Sequence, residues 1–148
     1  MGTLYLLDTN ILVHFVRDSR VWRRIEGRYS ILLRDPTPII STITIGELVS
    51  FGRRNGWGPH RRAQADYICA HLRPVLVGDR PLYEAYAAIE AFTRGHGRPM
   101  GDNDIWIAAT ARSNGATILT TDRDFGHLAP ALVQVEWFDP TLPAGGTP

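Results

Sequence analysis

Short apolar segments alternate with longer segments of helical periodicity along the whole 148-residue sequence. Each apolar segment has strand length and is followed by polar or turn-forming residues, which is typical of buried strands. The predicted strands are residues 4–7, 39–43, 75–77, 117–120 and 133–137. The predicted helices are residues 11–16, 19–33, 44–54, 60–72, 81–93 and 102–113. Because helices separate most of the strands, we expect an α/β fold with a central parallel sheet of four to five strands.

Length and composition indicate one globular domain. Hydrophobic residues make up 44% of the chain and charged residues 21%. No apolar stretch approaches the roughly 20 residues that span a bilayer, and the N-terminus lacks the features of a signal peptide. Together with the single cysteine, Cys69, these features predict a cytoplasmic protein with no membrane segment. We expect the domain to cover residues 1–139 and the Pro- and Gly-rich residues 140–148 to form a flexible tail.

All sixteen basic side chains are arginines, and the chain contains no lysine. This absence excludes the reactions and binding loops that require a lysine amine, such as a Walker A loop or a Schiff base. The formal net charge of +1 indicates no partner class by itself. The planar guanidinium group of arginine is nevertheless well suited to binding phosphate.

Four acidic residues occupy equivalent positions relative to the predicted strands and helices. Asp8 follows the first strand, Glu47 and Asp104 lie in the first turns of helices, and Asp122 follows the fourth strand. In an open parallel sheet, ligands bind beyond the carboxyl ends of the strands. The fold therefore predicts that these four carboxylates converge at one edge of the sheet.

Each of these acids also has a purely structural interpretation. Thr44 and Glu47 have the spacing of a capping box. Asp8 is placed to cap the first helix, and Asp102 or Asn103 to cap the last one. As a set, however, converging carboxylates repel one another unless a cation lies between them. All-oxygen ligands favour Mg²⁺ or Mn²⁺, which support the hydrolysis of phosphodiesters.

Four short motifs, taken in order, carry a family resemblance. They are Leu6-Leu7-Asp8-Thr9-Asn10-Ile11, Ser41-x-x-Thr44-x-x-Glu47-Leu48, Asp104-x-x-Ile107-Ala108-Ala109 and Thr120-x-Asp122-x-Asp124-Phe125. Their order and spacing resemble the PIN domain, and the compact chain is most similar to the VapC-type toxins of bacterial toxin–antitoxin pairs. The resemblance extends to about Phe138, with a longer stretch between Asp18 and Pro38 as one departure.

The resemblance implies a three-layer α/β/α fold, Mg²⁺- or Mn²⁺-dependent endoribonuclease activity, a homodimer, and inhibition by a small VapB-like antitoxin. The acidic site residues of the family fall on Asp8, Glu47, Asp104 and Asp122, with Asp102 and Asp124 as additional candidate ligands. The positions that usually line the site are Thr9, Asn10, Ser41 and Thr120. We hypothesise that Asp8 and Asp104 hold the metal directly and that Glu47 and Asp122 complete the site. A metal-activated water would then leave a 5′-phosphate and a 3′-hydroxyl.

A cluster of basic residues around one aromatic residue is a candidate RNA-binding surface. The residues concerned are Arg53, Arg54, Trp57, Arg61 and Arg62, with Arg98 in the loop before the last helix. Arginines would contact phosphates and Trp57 would stack on a base. The alternative is an ordinary solvated surface.

Two other functions compete with RNA cleavage. Asp8 after an apolar strand is also typical of a haloacid dehalogenase-type phosphatase, but that class expects a second acid where this chain has Asn10. The other alternative is a non-catalytic PIN-fold RNA-binding protein, against which the complete acidic set argues. The sequence leaves the RNA target open.

Overall fold

The computed structural model describes residues 2–141, and its core is a five-stranded sheet. The strands are β1 (Tyr5–Leu7), β2 (Ile39–Ser41), β3 (Arg73–Val75), β4 (Thr117–Thr120) and β5 (Val135–Trp137). Their order across the sheet is β3-β2-β1-β4-β5, and every neighbouring pair is parallel. The predicted parallel sheet is therefore confirmed.

Six helices cover the sheet. They are α1 (Thr9–Val16), α2 (Arg20–Tyr29), α3 (Thr42–Arg54), α4 (Pro59–His71), α5 (Arg80–Gly95) and α6 (Asp102–Ser113). Two short 3₁₀ helices, Ile31–Leu33 and Arg123–Leu128, complete the described part of the chain. The buried residues of α1 to α4 form one apolar cluster, and those of α5 and α6 form a second.

Alternation along the strands explains why the sheet has helices on both faces. Successive side chains of a strand point to opposite faces. In β1, Leu7 packs in the cluster of α1 to α4, and Leu6 packs in the cluster of α5 and α6. In β2, Ile40 and Ile39 divide in the same way. The strands are apolar on both faces because both faces are covered, which gives the three-layer α/β/α architecture.

The boundary between β2 and α3 differs from the prediction. The predicted strand continued to Ile43 and the predicted cap was Thr44, but β2 ends at Ser41 and α3 begins at Thr42. The Ser41 hydroxyl accepts a hydrogen bond from the Ile43 N–H at 3.1 Å, so Ser41 is the capping residue. Thr44 is instead fully buried inside the helix.

Two other predicted segments are wrong in their boundaries. The helix predicted over residues 19–33 ends at Tyr29 because Ser30 adopts the left-handed region with φ of 51°. The third strand was predicted two residues too late, since β3 is Arg73–Val75. Pro74 is tolerated there because β3 is an edge strand, where a missing N–H need not interrupt the ladder.

Trp57 is part of the apolar core, which contradicts its predicted role in base stacking. It is only 4% exposed and lies with Leu48 and Ile68 in the cluster of α1 to α4. Its ring packs closely over Gly52, where an added Cβ would lie 2.7 Å from Cε3 of Trp57. A buried ring that is already packed against α3 cannot stack on a nucleobase.

This close approach predicts the effect of a substitution in α3. Gly52→Ala should destabilise the protein by about 1–3 kcal/mol because the new methyl group overlaps the Trp57 ring. Gly46→Ala is the matched control, since a Cβ at this position of the same helix meets no atom within 4 Å. The control should be neutral or more stable by up to about 1 kcal/mol. Urea unfolding of both variants measures the difference, and equal stability would contradict this packing.

The C-terminal prediction lies largely outside the described residues. Of the predicted tail, residues 140–148, the structure describes only the first two, so the boundary at residue 139 stays a prediction. Among the described helices, none has the length and apolar character needed to cross a membrane.

Candidate active site

The strand order creates a crevice at the carboxyl edge of the sheet. The chain passes from β1 outward to β2 and β3, then returns to place β4 on the other side of β1. Ligands of open α/β sheets bind at such a switch point, where connections leave neighbouring strands in opposite directions. Asp8 directly follows β1, and Asp122 lies two residues beyond β4. Two of the predicted acids are therefore at the crevice because of the topology alone.

All four predicted carboxylates line one cavity at this crevice. Its volume is about 370 Å³, and Asp8, Glu47, Asp104 and Asp122 all contribute to its wall. Thr9 and Asn10, two of the predicted lining residues, also contribute. The structure thus brings together residues that are separated by up to 114 positions in the sequence.

Asp8 is held rigidly at the bottom of the site. It is 5% exposed and caps α1, with Oδ1 accepting a hydrogen bond of 2.8 Å from the Thr9 N–H. Its Oδ2 accepts a hydrogen bond of 2.7 Å from the hydroxyl of Thr120, which is fully buried at the end of β4. The Thr120 oxygen also accepts the Asp122 N–H at 2.9 Å. The end of β4 therefore positions two of the four acids.

Glu47 lies one turn into α3 and faces α1. Its Oε1 accepts a 2.6 Å hydrogen bond from the Thr9 hydroxyl, whose oxygen lies 3.1 Å from that of Thr44. Its Oε2 accepts a longer hydrogen bond of 3.4 Å from Nδ2 of Asn103. The capping-box interpretation of Thr44 and Glu47 is therefore wrong, because Ser41 caps the helix and Glu47 points into the site.

Asp104 approaches the site from α6. Gly101 precedes this helix and offers no side chain to cap it, so the predicted capping by Asp102 or Asn103 is wrong. Asp104 is half-buried in the first turn, where the positive end of the helix dipole favours a carboxylate. Asp122 precedes the 3₁₀ helix after β4, and its Oδ1 accepts the Asp124 N–H at 2.9 Å.

The carboxylates of the site oppose one another's ionisation. Burial raises the pKa of Asp8 to about 7, against the lowering effect of its hydrogen bonds and with a further increase from Asp104 and Glu47. Burial also raises the pKa of Asp104 to about 6, and Glu47, Asp122 and Asp124 add to this increase. A site without a counter-ion is therefore electrostatically unfavourable when all four groups are charged.

The other predicted polar residues have more varied surroundings. Asp102 faces Tyr86, whose hydroxyl donates to its Oδ1 at 3.0 Å, and it does not line the cavity of the four acids. Asp124 lines a neighbouring cavity that shares Asp104 with the first. Oδ1 of Asn10 accepts the Thr121 N–H at 3.3 Å. Ser41 is fully buried and caps the start of α3.

The predicted arginine cluster does not form one surface. Arg54 lines the cavity of the four acids, whereas Arg53 and Arg62 line a separate groove beside Trp57. The side chain of Arg62 donates to the backbone oxygen of Trp57 at 2.9 Å. Arg61 is exposed, and Arg98 lines the cavity that adjoins Asp104.

Sequence reasoning missed several residues at the rim of the cavity. Arg17 and Phe51 line it, and Asn103 contacts Glu47 from α6. Helical spacing could have found the first two, because Asn10 and Arg17 are seven residues apart, as are Glu47 and Arg54, with Phe51 between the second pair. His14 also lines the cavity, and burial lowers its pKa, with a smaller contribution from Arg17.

Thr120 gives a test of this geometry. Thr120→Val removes a hydrogen bond that lowers the pKa of Asp8. The variant should therefore hydrolyse a phosphodiester roughly tenfold more slowly near neutral pH, and the acid limb of its pH–rate profile should move to higher pH. Thr120→Ser keeps the hydroxyl and should keep the profile. The pH dependence of kcat/KM for hydrolysis of a phosphodiester measures both. An unchanged profile in the valine variant would contradict the assigned contact.

Comparisons with known proteins identify the family of this chain. The family model described as the PIN domain matches residues 5–130. Ribonuclease VapC1 of Haemophilus influenzae strain R2866 is 30% identical over 119 residues, which are 79% of this chain and 85% of that protein. Toxin FitB of Neisseria gonorrhoeae is 27% identical over 143 residues, which cover 92% of this chain and 100% of that protein.

A solved structure supports the same fold. The VapBC2 complex from Rickettsia felis, bound to a DNA fragment from its promoter, contains a chain that aligns with a TM-score of 0.77 at 20% identity. The alignment covers 93% of this chain and 100% of that one. The family match covers residues 5–130, which include Asp8, and therefore argues against the haloacid dehalogenase alternative. This chain belongs to the PIN domain family.

Proposed function

We propose that this chain is a Mg²⁺- or Mn²⁺-dependent endoribonuclease of the VapC toxin type. The observation that carries the proposal is the convergence of four carboxylates from separate segments in one open cavity at the sheet edge. Relatives whose names are Ribonuclease VapC1 and Toxin FitB, aligned over most of the chain, support both the activity and the toxin role.

The side chains at the site fit a hard divalent cation. The donors are carboxylate oxygens, which suit Mg²⁺ and Mn²⁺. Within residues 2–141, no three acidic, histidine or cysteine side chains are placed so that they could hold a metal ion together. Mg²⁺ does not need one, because it commonly uses one or two carboxylates and completes its coordination with water and substrate oxygens. We assign Asp8 and Asp104 as direct ligands, with Glu47 and Asp122 completing the site directly or through water.

In this proposal the chain's own residues orient the reacting groups. Thr120 and the Thr9 N–H fix the two oxygens of Asp8, and Thr9 and Asn103 fix those of Glu47. When bound, a divalent cation would neutralise the charge that develops on the phosphate during hydrolysis. A water oxygen bonds to phosphorus and the bond from phosphorus to the 3′ oxygen breaks. A carboxylate of the site accepts the proton that the water loses, the leaving 3′ oxygen takes up a proton from solvent water, and the products are a 5′-phosphate and a 3′-hydroxyl.

We also propose a protein partner for the chain. The similar chain from Rickettsia felis belongs to a VapBC complex, which supports a small VapB-like antitoxin as the inhibitor of this protein. A homodimer remains part of the proposal, as does a cytoplasmic location. Co-expression with the product of a neighbouring small gene, followed by gel filtration, would test the pairing.

The activity is tested by cleavage of a mixed pool of RNA oligonucleotides with the purified chain. We expect cleavage in millimolar Mg²⁺ or Mn²⁺, loss of cleavage in excess chelator, and 5′-phosphate ends that allow ligation of the fragments. Sequencing the fragment ends would identify the preferred RNA.

The control is the double variant Asp8→Asn/Asp104→Asn, purified in the same way, which excludes a contaminating nuclease. Binding of RNA without cleavage under any metal condition would overturn the proposal and favour the non-catalytic RNA-binding alternative. Cleavage that persists in excess chelator, with equal rates for the double variant, would overturn the metal-dependent mechanism.

A further inference from the structure

We propose that Arg17 and Arg54, stacked against Phe51, form a phosphate-binding rim that holds the RNA backbone beside the four carboxylates. The rim would contact a phosphodiester next to the one that is cut. This inference rests on the proposed ribonuclease function and adds to it a substrate-positioning site.

The three side chains form one structural unit at the edge of the cavity. The guanidinium carbon of Arg17 lies 5.2 Å from the centre of the Phe51 ring, and that of Arg54 lies 5.9 Å from it. Arg17 follows the last residue of α1, and Arg54 is the last residue of α3. All three line the cavity that contains the acids. Two helices therefore bring two positive charges to one aromatic ring at the mouth of the site.

The charges of the rim are available to a ligand. The ion pairs Asp18–Arg23, Arg80–Glu84 and Glu90–Arg94 involve neither Arg17 nor Arg54. Arg54 donates only to a neutral group, the Ser50 hydroxyl, at 2.9 Å. Both arginines are exposed. Although four carboxylates line the same cavity, neither guanidinium pairs with one of them within residues 2–141.

Binding of an anionic substrate beside four carboxylates requires nearby positive charge, which the rim supplies. Carboxylates repel a phosphodiester backbone, and a cation at the centre offsets only part of this charge. Guanidinium groups bind phosphate oxygens through paired N–H donors, and stacking on an aromatic ring limits their side-chain motion. Because the stacked arginines do not contact the acids, they are suited to a flanking phosphate and would act on substrate binding more than on the chemical step.

The experiment compares the double variant Arg17→Ala/Arg54→Ala with the control Arg20→Ala/Arg73→Ala. Both variants remove two positive charges from a chain of formal net charge +1. Arg20 and Arg73 are exposed and line neither cavity that contains Asp104. We expect the first variant to raise KM for a single-stranded RNA about 10- to 100-fold with kcat within about threefold of wild type. The control should leave both constants unchanged.

The salt dependence of RNA binding gives a readout independent of cleavage. Fluorescence anisotropy of a labelled RNA should show a slope of log K against log salt that falls by about 1.4 in the rim variant, or about 0.7 per lost contact. The control variant should keep the wild-type slope, and Arg17→Lys/Arg54→Lys should recover part of the binding but not the stacked geometry.

The outcomes distinguish a failure of the phosphate-binding rim from a failure of the proposed ribonuclease function. Wild-type cleavage with equal KM and equal salt slope in the rim and control variants would overturn the rim and leave the ribonuclease assignment intact. A rim variant that loses kcat while KM and slope stay unchanged would also overturn it. Absence of cleavage by the wild type would overturn the function, and the anisotropy slopes would still decide whether the rim binds phosphate.

Discussion

Asp104→Asn should lower the rate of RNA cleavage by at least about 10³-fold while leaving the fold intact. The substitution removes a proposed cation ligand but keeps the volume of the side chain. It also relieves the repulsion that Glu47, Asp122 and Asp124 exert on this half-buried carboxylate, so the variant should not be less stable than the wild type. Single-turnover cleavage at neutral pH measures the rate, and thermal unfolding verifies the fold.

Asp102→Asn is the matched control for this prediction. It removes the same charge from the same first turn of α6, so it has the same effect on the helix dipole. Asp102 accepts a hydrogen bond from the Tyr86 hydroxyl, which an asparagine oxygen can also accept, and it lies outside the cavity. Its rate should stay within about threefold of wild type. Equal losses in both variants would show that charge near the helix end matters and that the position of Asp104 does not.

Asp8→Asn should abolish cleavage to a similar degree. Asp8 contributes to the core of the site through hydrogen bonds from Thr9 and Thr120, and an asparagine oxygen retains one of them. Comparable loss in Asp8→Asn and Asp104→Asn, with no further loss in the double variant, is expected when two ligands act on one cation. Wild-type cleavage by either single variant would refute its assignment as a ligand.

The parts of this site that sequence analysis predicts are those fixed by local rules. A strand followed by an acid places Asp8 at the sheet edge, and the parallel order of the strands carries Asp122 to the same edge. Asp104 follows from its position in the first turn of a helix. Periodicity and topology are enough for these residues, because neither depends on the packing of individual side chains.

The parts that sequence analysis misses depend on contacts between distant segments. Trp57 lies among arginines in the sequence, which is typical of a surface that stacks on nucleobases. Because Gly52 has no Cβ, however, the Trp57 ring packs against α3 and is not at the surface. Arg17 and Phe51 belong to different helices, and their contact requires the packing of α1 on α3. Sequence analysis predicts that Glu47 lies near the other acids, but it does not predict the contact with Asn103, because that hydrogen bond joins residues 56 positions apart.

The second large effect concerns stability as a function of pH and metal. Asp8 and Asp104 have pKa values of about 7 and about 6 in the folded chain, above the ordinary value of 3.8. Each group therefore binds its proton more tightly in the folded state than in the unfolded state. The stability that this proton binding contributes is fully present below about pH 4 and is lost as the pH rises through 6 and 7. Without metal, the protein should lose roughly 2–3 kcal/mol between about pH 5 and about pH 8, most of it from the buried Asp8, because solvent screens the half-exposed Asp104. The melting temperature should fall by about 5–10 °C.

Millimolar Mn²⁺ or Mg²⁺ should recover most of this loss at about pH 8 and little at about pH 5, because the cation binds the ionised carboxylates and competes with protons. Differential scanning fluorimetry of the chelated and metal-loaded protein across this pH range measures both effects.

Asp8→Asn/Asp104→Asn should show neither the pH dependence nor the metal effect. Glu84→Gln, which removes an exposed carboxylate paired with Arg80, should show both. Equal melting temperatures of the metal-free protein at the two pH values would mean that burial and the neighbouring carboxylates do not raise the pKa values of Asp8 and Asp104. Equal stabilisation of wild type and double variant by metal would place the cation elsewhere on the chain.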